Sequence, residues 1–303
     1  MQSKKVKFSL WNLADLMSGQ IGLTEKDEKT LAELYAKKQS YKDKGKELGK
    51  TDSNKIAALE KKTANNELNS TAKKVVRQKW MNLELGRRPK SIGHLPMIRK
   101  GVLNEQAGID LVAEVYPEFG FLVSEDEPIF NDWLYGIADV VCRNISLPSL
   151  NYSGNVVIDI KNLETLDGLL EKQNTRDKID PKYWAQLQGY GSLYDAELLV
   201  IAYVLTDLPP EMMEEGINKI AWRYGGHNEA LGNEAYESEV EQFIKNNTYS
   251  DIPAEKRVVL KIFKRDDDFL KSVQNRIDKY ARPYYQELTD TWSKGRLELI
   301  DLI

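Results

Sequence analysis

The sequence predicts an α/β protein, a mixed β-sheet flanked by helices and carried behind a lysine-rich helical front end. Three observations predict it. Residues from about 24 to 85 space their apolar side chains helically among many lysines; from 121 to 205 short β-branched and aromatic runs alternate with helical stretches; and RVVLKIFKR adds one more strand before a long amphipathic tail. Strands interleaved with helices, entered from a helix, build a sheet with helices on its faces.

In the front end, Thr24 and Asp27 have the spacing of a capping box opening TLAELYAKK, and KIAALEKKT from Lys55 repeats the motif loosely. The shared spacing predicts an antiparallel helix pair. Residues 71–90, TAKKVVRQKWMNLELGRRPK, are the most basic stretch. They suit either an arm along a phosphate backbone or a surface helix that turns Val75, Val76 and Trp80 inward. Beyond Gly101, Leu103, Ala107, Leu111 and Val115 mark one side of a helix that Pro117 stops, with Glu105 near its start. FLVSEDEPIF, LYGIADVVCRN and NVVIDIKN read as strands, the last two joined as a meander or hairpin by SLPSLNYSG. Asp180 as N-cap and Pro181 at the first helical position open a helix over IDPKYWAQLQGYGSLYDA. ELLVIAYVL at 197–205 is a buried strand, and the tail from Asp266 is a helix with Phe269, Val273, Ile277, Tyr280 and Tyr284 at 3–4 spacing. The composition shift places a boundary near residue 95: a basic, mainly helical region 1–95 and a larger domain 96–303.

The 303 residues, 41% of them hydrophobic, suffice for a globule with a substantial core. The net charge of −4 hides a segregation: residues 1–100 hold 23 Lys and Arg against 11 Asp and Glu (+12), and the rest hold 20 against 36 (−16). This suggests a polyanion-facing arm beside a metal-binding or simply solvated acidic domain; a lysine-coated helix pair is the plainer account. Cys142, the single cysteine, excludes an internal disulfide, and with only His94 and His227 it supplies neither a Cys/His zinc site nor an iron–sulfur site. Both histidines read as structural or solvated loop residues. A hard cation held by carboxylates stays open. The lack of a GxxxxGK[ST] loop argues against ATP-driven work. With no window of ~20 apolar residues and no apolar leader in MQSKKVKFSLWNL, a cytoplasmic location without membrane contact is expected.

VVIDIKN, residues 156–162, poses the chemical problem, because a strand-like run carries Asp159 and Lys161. Residues two apart share a strand face, so these two charges point together, away from Ile158 and Ile160. Asp139 of GIADVV lies in the preceding strand-like run, and a suitable register would bring the two carboxylates side by side. Such a pair needs a shared proton or a divalent cation, and oxygen ligands suit Mg²⁺ or Mn²⁺. An edge-strand ion pair is the inert alternative. The Asp-x-Lys spacing alone is unspecific, recurring at Asp27-Glu28-Lys29 and Asp180-Pro181-Lys182.

The order of features adds specificity. KGVLNEQAGIDL with Glu105, GIADVV with Asp139, VIDIK with Asp159 and Lys161, and KYWAQLQGYGSLYDA with Gln186 and Tyr190 together resemble the PD-(D/E)xK nuclease superfamily. The resemblance is to its lambda-exonuclease-like, YqaJ-type and RecB-like branch and spans roughly residues 98–205. Asp159 stands where Glu is commoner, and Asn162 where Thr, Ser or Cys is usual. The resemblance implies a restriction-endonuclease-like mixed sheet and a Mg²⁺-dependent deoxyribonuclease acting through a metal-activated water. It implies an exonuclease on linear duplex DNA in phage-type recombination, with a single-strand-annealing recombinase as partner and a homo-oligomer as a family habit. Asp139, Asp159 and the Ile160 carbonyl would bind the metal, Glu105 directly or through water. Lys161 would orient or activate the water, and Gln186 and Tyr190 would hold site water or the DNA backbone, with Tyr183 and Tyr194 extending their stripe. Tyr194 and Trp184 read better as core. Arg87, Arg88, Lys90, Arg99 and Lys100 would form a basic path guiding DNA toward the Glu105 helix. A structure-selective endonuclease, a non-catalytic DNA-binding or scaffold module, and an adaptor acting through the helix pair are the rivals.

Overall fold

The computed structural model describes residues 5–19, 25–63, 67–90, 93–175 and 179–294. Among the described residues, seven strands run in the order β1 (Phe8–Ser9), β2 (Ile129–Phe130), β3 (Leu134–Gly136), β4 (Val140–Leu147), β5 (Tyr152–Asn162), β6 (Ala196–Val204) and β7 (Val258–Lys264). The helices are α1 (Leu13–Leu16), α2 (Glu25–Asp43), α3 (Lys50–Thr63), α4 (Ser70–Leu85), α5 (Pro96–Leu103), α6 (Glu105–Val115) and α7 (Leu166–Asn174). They continue with α8 (Pro181–Leu193), α9 (Pro210–Arg223), α10 (His227–Ala230), α11 (Glu234–Asn246), α12 (Asp267–Arg276) and α13 (Arg282–Lys294). The α/β class expected from the sequence is the class observed, a mixed sheet among many helices.

Two compact units divide the chain. One takes Met1–Val6, Asn12–Arg88 and Lys271–Ile303; the other takes Lys7–Trp11 and Pro89–Leu270. The division does not follow the compositional boundary at residue 95, because the tail from Lys271 packs with the N-terminal helices and Lys7–Trp11 pairs with the sheet-bearing unit.

In the first unit, α2 and α3 pair antiparallel, joined by Lys62 with Asp27 at 3.3 Å and Lys37 with Asp52 at 2.7 Å around buried Leu34, Ile56 and Leu59. The capping residue expected at Thr24 lies outside the described residues. In α4, Val75, Val76 and Trp80 are buried, and the Trp80 indole donates to Thr289 at 3.0 Å, so packing claims this face of the basic stretch. The tail is interrupted by a π-turn over Ile277–Ala281, just before Pro283. Proline has no N–H to donate to the turn before it, and a wider turn absorbs the defect. The extra residue moves the apolar stripe by one, so Ala281 and Tyr285 are buried where the spacing predicted Tyr280 and Tyr284.

In the second unit the main sheet has the order β4-β5-β6-β7, with β5 and β6 parallel and both outer pairs antiparallel. A small sheet, β1-β3-β2, lies in the same unit. The central strands are β-branched and buried on both sides, as the sequence run predicted. The even-numbered side chains of β4, β5 and β6, among them Val140, Ile158, Ile160 and Val200, form a core with Ile109, Leu111 and Val112 of α6. The predicted single helix after Gly101 is two, broken at Asn104, and its buried side runs through Gly108, Ile109, Leu111 and Val112; Leu103 and Ala107 are exposed. Gly108 is the contact point: a Cβ there would lie 2.9 Å from Ile160 Cγ2 and 3.2 Å from Val204 Cγ2. Among the described residues no helix is long and apolar enough to cross a membrane.

Candidate active site

The odd-numbered side chains of β5 carry the charge. Val140 pairs with Ile158, and continuing that register by one residue brings Asp139, immediately before β4, opposite Asp159. Asp159 is completely buried, and neither of its carboxylate oxygens receives a hydrogen bond of good geometry. Lys161 Nζ stands 2.7 Å from Oδ2 in an ion pair. Asp139 is fixed differently, by the Ile160 N–H, which donates to its Oδ2 at 2.6 Å. The N–H and C=O of a strand residue point to the same side, so the Ile160 carbonyl faces the same gap.

The electrostatics follow from this crowding. Burial first, and then the Asp159 carboxylate, push the Asp139 carboxyl up to about 7, with a smaller push from Glu105. Burial disfavours the Lys161 ammonium, but Asp159 and Asp139 outweigh it and hold its pKa above the ordinary value. Helix α8 closes the face. Asp180 caps it through Oδ1, which accepts from the Lys182 N–H at 2.8 Å, and Pro181 is its first residue, as the sequence predicted. Gln186 Nε2 donates to Tyr190 Oη at 2.9 Å, and burial, then Asp159, raise the Tyr190 phenol above its usual pKa. The Tyr183 ring lies 4.9 Å from Lys161 Nζ.

Glu105, Asp139, Asp159, Ile160, Lys161, Tyr183, Gln186 and Tyr190 are therefore gathered around one end of β5. Glu105 acts on Asp139 through its charge, and among the described residues no three Asp, Glu, His or Cys side chains converge on one metal-sized position. Two members of the predicted basic path do not serve it. Lys100 is buried, its Nζ donating to the Leu163 carbonyl at 2.8 Å, and burial lowers its pKa to about 8. Arg99 is held by Glu215 at 2.6 Å and Glu211 at 2.8 Å. Arg87, Arg88 and Lys90 are exposed.

Several supporting residues carry no motif. Asn104, directly before Glu105, donates to Thr206 Oγ1 at 2.8 Å and to the Asp207 carbonyl at 2.6 Å, while Thr206 donates to Asn162 Oδ1 at 2.8 Å. This triangle ties the start of α6 to the ends of β5 and β6, and it gives the unusual Asn162 a structural role. Tyr194, read as core, also accepts a hydrogen bond from the Ala138 N–H at 3.2 Å, next to Asp139. Trp184, read as core, is only half-buried; it packs edge-on against half-buried Phe269 with ring centroids 4.6 Å apart. Buried polar groups at this density are affordable only when each has a partner, which makes the unpartnered Asp159 Oδ1 stand out.

No protein-family model and no curated protein matches the sequence. Among solved structures, the phage-related exonuclease of Haemophilus somnus 129PT is similar over 95% of this chain and 97% of its own, with a TM-score of 0.55 at 19% identity. The alkaline exonuclease LHK-Exo of Laribacter hongkongensis is similar over 97% of both chains, with a TM-score of 0.50 at 10% identity. Over nearly its full length the chain thus has the fold of these phage-related and alkaline exonucleases.

Proposed function

We propose that the protein is a Mg²⁺-dependent deoxyribonuclease, an exonuclease that hydrolyses linear duplex DNA from an end and leaves single strand for a recombinase. The observation that carries this reading is Asp159: a buried carboxylate whose Oδ1 has no hydrogen-bond partner and whose Oδ2 meets the Lys161 ammonium, set opposite a second carboxylate, is a donor set suited to a hard cation. Asp139, Asp159 and the Ile160 carbonyl would hold Mg²⁺ or Mn²⁺, with Glu105 contributing through water. When bound, such an ion supplies Lewis-acid charge that favours attack of water on the phosphodiester. Lys161, whose side chain keeps 18% exposure at the mouth, holds a phosphoryl oxygen or orients the water, and its raised pKa keeps it cationic there. Tyr190, receiving the Gln186 amide proton on its oxygen, has its own proton free to donate to site water. The fold shared with exonucleases supports the same class.

Calorimetric titration with Mn²⁺ tests the reading. Wild type is expected to bind, and Asp159→Asn to lose the heat of binding while keeping its fold. Absence of any site in wild type would favour the non-catalytic DNA-binding or scaffold alternative, and cleavage of covalently closed circular DNA would favour the structure-selective endonuclease.

A further inference from the structure

Beside the carboxylates the same sheet face continues into a cavity that the nuclease chemistry does not use. Ser124 bridges Val140 antiparallel, and the Glu125 N–H donates to the Asp139 carbonyl at 3.1 Å. The segment after α6 therefore runs as an added edge alongside β4. Its even-numbered Leu122 enters the core, so Phe121, Val123 and Glu125 lie on the opposite face, the one that carries Asp139, Val141 and Arg143. Phe121, Val123, Glu125, Val141 and Arg143, with Ser124, Asp126 and Glu127, line a space of about 420 Å³ that lies beside Asp139. Phe121 is 94% exposed and Val123 55% exposed, an arrangement that leaves an aromatic ring and a branched side chain in water without a core to fill. Arg143 is held over this space by Glu125 through two bonds of 2.7 and 3.0 Å.

We propose that this cavity is a nucleobase subsite, in which an unpaired base of the DNA strand being hydrolysed stacks on Phe121. The proposal presupposes the nuclease function above and names the part of the substrate that this face takes. Three features select a base over other occupants. A flat exposed ring offers a stacking surface that any base can use. Glu125, Asp126 and Glu127 accept hydrogen bonds from exocyclic amino groups and Arg143 donates to ring acceptors, the donor and acceptor types that base edges present. The three carboxylates repel phosphate, so the backbone stays at the Asp139 side, one strand spacing of ~5 Å away, while the base turns into the cavity.

The experiment uses the full-length protein with Ca²⁺ in place of Mg²⁺ and a single-stranded oligonucleotide carrying 2-aminopurine at either terminal position. Stacking on wild type is expected to change the fluorophore's emission at one terminus. Phe121→Ala should lose that change and weaken binding by about 5- to 100-fold, the effect of one base–aromatic stack, whereas Phe121→Trp should retain both. An oligonucleotide abasic at the responding position should bind wild type and Phe121→Ala alike. Because Phe121 is exposed, the variants are expected to melt with wild type. If wild type cleaves DNA with Mg²⁺ but Phe121→Ala binds and cleaves as well as wild type, the base subsite is overturned and the nuclease function stands. If wild type neither binds nor cleaves any DNA, both are overturned.

Discussion

Asp139 and Asp159 face each other across the β4–β5 register, and burial together with the Asp159 carboxylate raises the Asp139 carboxyl well above the usual carboxylate range. Replacing Asp159 with Asn removes one charge and one donor. Nuclease activity is expected to fall at least about 1,000-fold while the protein still unfolds cooperatively, as circular dichroism on denaturation would show. Lys100 offers a separate pH signature. Its folded pKa near 8 lies below the ordinary Lys value of 10.5, so between those values the unfolded chain binds more protons than the folded one. Stability from this group therefore rises as pH climbs from 8 to 10.5 and is least below 8. Urea unfolding should show wild type gaining on the order of 1–3 kcal/mol relative to Lys100→Met across that window; parallel curves would contradict the burial.

At the scale of elements, α6 and β5 are locked together by Gly108 seated on Ile160 and by the Asn104, Thr206 and Asn162 triangle. Gly108→Val would force the helix off the sheet and carry Glu105 with it. A loss of about 1–3 kcal/mol in stability is expected, together with reduced nuclease activity, and a thermal melt paired with a digestion assay reads both. These elements also show what sequence could and could not tell. Strand β5 and helix α8 were legible, because a β-branched run and an Asp-Pro start are local signals. Strand β4 was legible only in part: LYGIADVVCRN reads as one strand but divides between β3 and β4, which lie in different sheets, and the register of β4 with β5, which sets Asp139 against Asp159, depends on a pairing no local pattern fixes. The break at Asn104 was hidden because its cause, a side chain bonded to Thr206 and Asp207, lies about a hundred residues away. Lys100 was misplaced on a DNA path because its partner is a backbone carbonyl, which carries no residue signature.

Across the whole molecule, charge is the property most visible in the sequence and least decisive about function. The +12 of the first hundred residues marks a basic region, yet Arg99 is neutralised by two glutamates and Lys100 is buried, leaving Arg87, Arg88 and Lys90 exposed. If these contact phosphate, Arg87→Ala with Arg88→Ala should weaken DNA binding and flatten the dependence of log affinity on log salt by about 2; an unchanged slope would remove them from the interface. The order of the four motifs along the chain pointed to the fold, whereas the polarity and strand preference of the proposed nuclease depend on how DNA would be held. The most direct test of the catalytic account is digestion of linear duplex DNA, labelled at the 5′ or the 3′ end, with Mg²⁺, by wild type and Lys161→Ala. Wild type alone is expected to show end-dependent loss of label, and the enzyme's polarity would be read from which label is lost first. Failure of wild type to cut linear, nicked or single-stranded DNA with either Mg²⁺ or Mn²⁺ would contradict it.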